Sequence, residues 1–261
     1  MMKLRISSFL MLAICGFQLA IAQQKVVLDN YFNNEISPKT GKPFHYIWED
    51  RSFGGFSEFG DIFIANGATL GMLIEKPNNK NLKGADIYII VDPDNLKDNK
   101  NPNYMDQKGA KAIAKWVKKG GVLLLLTNDS SNCELVKFNQ LSSKFGITYN
   151  NDFNSPELRE SKEKRNFQSC AFTQLGTHEV FNGVSKIFLK EISSITISKN
   201  AKAVLESNGK VFIAEASYGK GYVFAVGDPW LYNEYIGHAL LPEDFENKKA
   251  AKNLVKLLLS K

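Results

Sequence analysis

The sequence has little of what most often carries metal or thiol chemistry, with three cysteines and three histidines in 261 residues. No CxxC pair and no Cys/His cluster occurs, which removes the spacing a structural zinc site requires. There is no GxSxG, the signature of a serine nucleophile on a strained strand-to-helix turn. The formal net charge of +6 is small, and the lysines are interspersed with acids. Such a balance does not argue for nucleic acid and reads as a solvated lysine face. Long apolar runs are also scarce: the stretch Ile6 to Ala22 is the longest, and it is short for a membrane span.

That N-terminal stretch has the order of an export signal. Lys3 and Arg5 form a basic region, the apolar run follows, and Ala20-Ile21-Ala22 precedes Gln23 in a small-x-small pattern. The expectation is cleavage after residue 22 and an exported, periplasmic or secreted protein with no membrane attachment. Loss of Lys3 and Arg5 leaves 31 basic against 27 acidic groups in residues 23–261. These residues are expected to form a single α/β domain. Cys15 leaves with the signal; Cys133 and Cys170 are compatible either with a disulfide or with two separate thiols.

Along the remaining chain, apolar runs alternate with helical patterns. KVVLDNYFNNE (residues 25–35) opens with a β run ending in Asp29 and Asn30. A long loop from Phe32 to Gly55 is rich in aromatics. Ser57 is placed to cap a helix over SEFGDIFIAN. Ala68 to Ile74 and Ala85 to Val91 are near-continuous apolar runs, as expected of parallel strands covered on both faces. Asp106 to Lys119 has one apolar stripe and predicts a helix. VLLLL (122–126) is a further strand, and Cys133 to Phe145 a further helix. Pro156 to Asn166 is dense in charge and reads as a mobile surface excursion. Beyond it come β runs at Ile187–Ile192 and Ala201–Glu206, then VFIAEASYGKGYVFAVG (211–227), a hairpin turning at Gly219 to Gly221. A helix over Asp244–Leu259 closes the chain. The fold class is thus α/β, a doubly wound, mostly parallel sheet flanked by helices, with antiparallel strands added in the C-terminal half.

In such sheets ligands bind beyond the carboxyl ends of the strands. There the sequence gathers Asp29, Asn30, Asp92, Asp94, Asn128 and Asp129, and then GDPWLYNEY with Asp228, Trp230, Tyr232, Asn233, Glu234 and Tyr235. Tyr46 and Trp48, beside His45 in the aromatic loop, join them. Aromatic faces among Asp and Asn groups suit sugar rings, so these residues are candidate ligand contacts. His45 and His238 are further candidates for sugar contacts.

As catalytic candidates we single out Asp228, Glu234, Asp92 and His178. Asp228 or Glu234 paired with Asp92 or Glu49 could serve as acid and base in glycoside hydrolysis. A Ser130, His178, Asp228 arrangement is the weaker alternative. DPDNLKDN (92–99) offers Asp92, Asp94 and Asp98 as oxygen ligands but lacks the glycine and terminal glutamate of an EF-hand, so no metal and no cofactor is expected.

VVLDNYFNNE, HYIWED and GGFSEFGDIF, followed by LKGADIYIIVDPD, GGVLLLLTND and GDPWLYNEY, resemble a module of secreted Bacteroidetes proteins. That module has a class I glutamine amidotransferase-like, flavodoxin-like fold and often accompanies unsaturated rhamnogalacturonyl or glucuronyl hydrolases. GTHEVFNGV around His178 is similar to the HPxxxGV segment of amidotransferase-like relatives. The resemblance covers Val26 to Lys261 and implies a role in breakdown of uronic-acid polysaccharides such as pectin or ulvan. It implies no active amidotransferase: where the family carries a cysteine, after VLLLL, this chain reads Thr127-Asn128-Asp129-Ser130-Ser131, and Cys133 comes too late, without the flanking glycines. Two functions follow as expectations. One is an exported accessory protein that binds oligosaccharide or polysaccharide beside a glycoside hydrolase of the same pathway; the other is a hydrolase of the unsaturated-uronyl type using the carboxylates.

Overall fold

The computed structural model describes residues 23–159, 161, 164–237 and 240–261. Residues 1–22, where the export signal is expected, and His238 lie outside the described residues.

Nine strands form the central sheet. In chain order they are β1 (Lys25–Asp29), β2 (Thr69–Leu73), β3 (Ile87–Val91), β4 (Val122–Leu126), β5 (Ile147–Tyr149), β6 (Ile195–Ile197), β7 (Lys202–Ser207), β8 (Lys210–Tyr218) and β9 (Gly221–Val226). Their order across the sheet is β2-β1-β3-β4-β9-β8-β6-β5, with β7 also paired to β8. From β2 to β9 every pairing is parallel, and from β9 onward every pairing is antiparallel. The parallel strands are linked through α1 (Ser57–Ala65) between β1 and β2 and α2 (Gln107–Lys118) between β3 and β4. α3 (Leu135–Ser142) follows β4, and α4 (Asn233–Ile236) and α5 (Asn247–Leu259) follow β9.

Strand pleating sends alternate residues to opposite faces, and the apolar runs fill both. Ile87, Ile89 and Val91 of β3, with Leu124 and Leu126 of β4, pack in the layer that includes α1 and α5, with Phe59, Phe63, Leu254 and Leu258. Tyr88, Ile90, Leu123 and Leu125 pack in the layer of α2 and α3, with Ile113, Val117, Phe138 and Leu141. β3 and β4 are buried at every position, as their sequences predict. β2 is not. It lies at the sheet edge, where Met72 and the following Ile74 are 37% and 67% exposed, so its apolar run covers one face only.

Local signals fix most boundaries. Asp106 caps α2 by accepting from the Gly109 N–H at 2.8 Å. α3 starts two residues later than the pattern suggests because Glu134 takes the cap, accepting from the Lys137 N–H, and a short 3₁₀ turn at Ser143–Phe145 ends it. α1 departs further. Ser57 does not cap it; the Asn233 side chain, from the far end of the chain, accepts from the Glu58 N–H at 2.9 Å. Ile187–Ile192 yields only a two-residue strand, Ile187–Phe188, paired with Ala171–Phe172. The charged excursion is tied down rather than free: Leu158–Arg159 pairs with Arg165–Asn166, and Arg165 bridges Glu157 and Glu234.

Candidate functional site

Because β1, β3, β4 and β9 run parallel, their carboxyl ends emerge at one edge, and a cleft of about 220 Å³ opens there. Strand ends supply its floor with Asp92 after β3, Asn128 after β4 and Asp228 after β9. One wall comes from the aromatic loop through Glu35, His45 and Tyr46; another comes from Lys190, Glu191 and Tyr232. Asp98, Asn132 and Pro229 complete the lining.

Strained backbone concentrates at this edge. Seven non-glycine residues among those described have positive φ, and four of them line the cleft: His45 (59°), Tyr46 (43°), Asp92 (42°) and Glu191 (51°). Each such residue costs on the order of 1–3 kcal/mol and persists only where surrounding contacts hold it. Those contacts are present. The His45 N–H donates to Asp50 Oδ2 at 3.1 Å and the Tyr46 N–H to the Gly54 carbonyl at 2.8 Å. The N–H groups of Asp92 and Glu191 donate to the carbonyls of Leu126 and Ser155, each at 2.8 Å.

Two acids of the floor are buried and incompletely bonded. Asp228 is 1% exposed; its Oδ2 accepts from the Lys190 N–H at 2.9 Å, and its Oδ1 has no partner. Burial raises its pKa to about 8, against the opposing pull of Lys190. Asp92 is 8% exposed with Oδ1 also unpartnered. Burial holds it well above the usual carboxylate range; the neighbouring Tyr46 hydroxyl pulls the other way, and the charges of Glu35, Asp98 and Asp94 add to the rise. Burial thus favours the neutral form of both carboxyls. The Tyr46 and Tyr232 rings meet edge to face with centroids 6.0 Å apart.

Of the residues expected to contact ligand, His45, Tyr46, Asn128 and Tyr232 line this cleft together with Asp92 and Asp228. The rest are committed to the fold. Asp29 accepts from the N–H groups of Tyr31 and Phe32 and from the Tyr88 hydroxyl, and burial raises its pKa to about 7. The Asn30 side chain donates to the Asn33 carbonyl. Asp94 accepts through Oδ2 from the Asn34 N–H and from Asn99, with Oδ1 unpartnered and outside the cleft lining, and Asp129 accepts from Ser131 and Asn132, so both close turns. Trp48 and Trp230 are core residues; Trp48 donates its indole N–H to the Gly71 carbonyl, whereas Trp230 is fully buried with its Nε1 unpartnered. Tyr235 is buried against Phe188. Asn233 accepts from Glu58 and donates to Asp50, Ser52 and Ser57, leaving no group for a ligand.

Among the catalytic candidates, Glu234 is taken by Arg165 and lies outside the cleft lining. His178 caps a 3₁₀ turn by accepting from the Val180 N–H and pairs with Glu215 at 3.2 Å, over Phe224 in the middle of β9, so no Ser130, His178, Asp228 triad forms. Glu49 is exposed and is not part of the lining. Asp92 after β3 has a left-handed backbone, whereas residues 127–131 in the turn after β4 do not. Cys133 is 3% exposed and burial pushes its thiol well up, which keeps it neutral and unreactive. It is not bonded to Cys170; both are free.

Glu35, Asn132, Lys190 and Glu191 are the cleft residues that pattern reading missed. Lys190 and Glu191 sit in a stretch that looks like strand, and only the pairing of Lys190 with the end of β9 brings them to the edge.

No protein-family model and no curated protein sequence matches the chain. Solved structures do resemble it. The mmIFT52 N-terminal domain superposes with a TM-score of 0.67 at 14% identity, over 91% of this chain and 98% of that one. The cytoplasmic protein STM1381 from Salmonella typhimurium LT2 gives 0.57 at 15% identity, over 91% and 99%. A protein described as a GMP synthase component, from Thermoplasma acidophilum, gives 0.50 at 10% identity, over 91% and 95%. At these identities the likeness concerns the fold alone. With the sheet order β2-β1-β3-β4-β9, it makes this a flavodoxin-like, glutamine amidotransferase-like α/β fold.

Proposed function

We propose that this chain is an exported accessory protein of polysaccharide breakdown that recognises a sugar residue in the strand-end cleft and does not use a thiol. The observation that carries this reading is the pair Asp92 and Asp228: each is at least nine-tenths buried with one oxygen unpartnered, in a cleft where four of seven left-handed residues gather. A buried polar atom without a partner costs free energy that a ligand hydroxyl can recover. Tyr46 and Tyr232 supply apolar faces for the ring, and Asn128 and Asn132 supply amides for its hydroxyls. Export and the uronic-acid polysaccharide context rest on the N-terminal pattern and the sequence resemblance. A glycoside hydrolase of the same pathway is the proposed partner.

The competing reading, hydrolysis by Asp92 and Asp228, is less favoured. Both the retaining and the inverting mechanism need one ionised carboxylate beside the acid. Here burial favours the protonated form of both carboxyls.

Calorimetric titration with pectin- and ulvan-derived oligosaccharides, and with neutral and amino-sugar disaccharides, tests the binding reading. Saturable heat with at least one of them is expected, weakened tenfold or more in Tyr232→Ala. No heat from any oligosaccharide, or affinity unchanged in both Tyr232→Ala and Tyr46→Ala, would sink it. Loss of the 4,5-unsaturated chromophore on incubation would instead favour hydrolysis.

A further inference from the structure

The charge balance of the cleft narrows what it can hold. Five carboxyl groups line it, those of Glu35, Asp92, Asp98, Glu191 and Asp228, against one ammonium, Lys190, and one imidazole, His45. Each already has an acid: His45 stands 3.3 Å from Glu35 and Lys190 3.6 Å from Glu191. Asp228 still feels Lys190, both through its backbone N–H and through its charge. Asp92 has no such neighbour. The charges that press on it most are Glu35, Asp98 and Asp94, all acidic, and the Tyr46 hydroxyl is what eases it. A ligand carboxylate placed here would meet like charge, so a uronate ring belongs outside the cleft.

We propose that the sugar residue held in this cleft is an amino sugar whose ammonium group pairs with the unpartnered oxygen of Asp92, beside the face of Tyr46. This deepens the carbohydrate-binding reading and rests on it. The ammonium brings the positive charge that the lining lacks, turns an unpartnered buried oxygen into a charge-assisted acceptor, and is favoured by an aromatic face. Burial favours the neutral carboxyl of Asp92 in the free cleft and an ammonium beside it favours the ionised form, so binding shifts this carboxyl toward release of its proton to solvent. The backbone suits a clean test, because asparagine tolerates left-handed φ as aspartate does and Asp92→Asn is expected to fold.

The experiment titrates the protein, residues 23–261, calorimetrically with chitobiose, cellobiose and cellobiouronic acid at about pH 6, below the range of an amine of this kind. Chitobiose is expected to bind at least tenfold more tightly than cellobiose, and the uronate more weakly than either. Its heat is expected to differ between phosphate and MES buffers, because binding favours release of a proton. Asp92→Asn is expected to bring chitobiose and cellobiose to the same affinity and to abolish the buffer dependence. Equal affinities in the unaltered protein, or a chitobiose preference that survives Asp92→Asn, overturn the ammonium pairing while leaving carbohydrate binding in place. Failure of all three sugars, with ethanolamine as an alkylammonium probe also giving no heat, overturns both. Ethanolamine binding alone, lost in Asp92→Asn, upholds the ammonium pairing and removes the sugar.

Discussion

Asp228→Asn tests the electrostatics of the floor directly. An asparagine at this position keeps an oxygen to accept from the Lys190 N–H and puts an amide where Oδ1 now has no partner, so packing is disturbed little. What it removes is a titration. The Asp228 carboxyl ionises near 3.8 when solvated and near 8 in the fold, so the folded state holds its proton more tightly than the unfolded state does. Aspartate stability is therefore greatest below about pH 4, falls as pH rises, and levels off above about 8, whereas asparagine is indifferent over that range. A tenfold change in proton affinity corresponds to about 1.4 kcal/mol, so the rise from 3.8 to about 8 sets a ceiling of about 6 kcal/mol on the change between the two limits. Water entering the cleft would reduce it.

Urea unfolding of both proteins, followed by circular dichroism at pH 5, 6, 7 and 8, reads the difference. Asp29, Asp92 and Asp94 titrate in both proteins and largely cancel. The asparagine variant is expected to gain on the parent at each step, by about 1 kcal/mol per pH unit. Stability curves that run parallel across this range would refute the buried, protonated state of Asp228. A parent that gains on the variant with rising pH would reverse the sign and point to a carboxylate stabilised by a cation, with Lys190 the first suspect.

Three further outcomes follow from the same packing. Trp230→Ala removes a fully buried side chain from the core and is expected to cost about 3–5 kcal/mol in urea unfolding; a near-neutral change would place the indole outside the core. Asn233→Ala breaks the clamp on α1 and the Asp50–Ser57 turn and is expected to cost about 2–4 kcal/mol, with Asn233→Asp failing to restore the lost donor; full stability in either variant would reject the clamp. Thiol titration without reductant is expected to count two reactive thiols, Cys133 and Cys170, in denaturant and almost none in the native protein; zero in denaturant would mean a disulfide.

Much of the fold was legible in the sequence because its cause is local. VLLLL and ADIYIIV are apolar at consecutive positions, which only a strand covered on both faces can use, and they became the fully buried β4 and β3. Gly219 at φ 65° supplies the hairpin turn predicted between β8 and β9. What could not be read depends on contacts far apart in the chain. ATLGMLI has nearly the same composition as the central strands, yet its place at the edge follows from β1 pairing on one side only of β2. Ser57 had the right chemistry to cap α1, and a side chain 176 residues later supplies the contact instead.

The site was legible as an edge but not as a set of residues, and the aromatics show why. A tryptophan in a polar, glycine-bearing stretch looks the same whether it faces a ligand or nails its loop to the core. Trp48 and Trp230 do the second, and by doing so they hold the chain so that Tyr46 and Tyr232, two residues away in each case, stand at the rim. The same division runs through the acids. Asp29 and Asp129 spend both oxygens, and Asp94 its Oδ2, on backbone amides and side chains around them, which shapes the turns at the ends of β1, β3 and β4. Of the buried carboxyls with an oxygen unused, Asp92, Asp94 and Asp228, Asp92 and Asp228 line the cleft and Asp94 does not. The residues that seemed interchangeable in sequence thus form two tiers, and the strain at His45, Tyr46, Asp92 and Glu191 marks where the upper tier is held against its own preference.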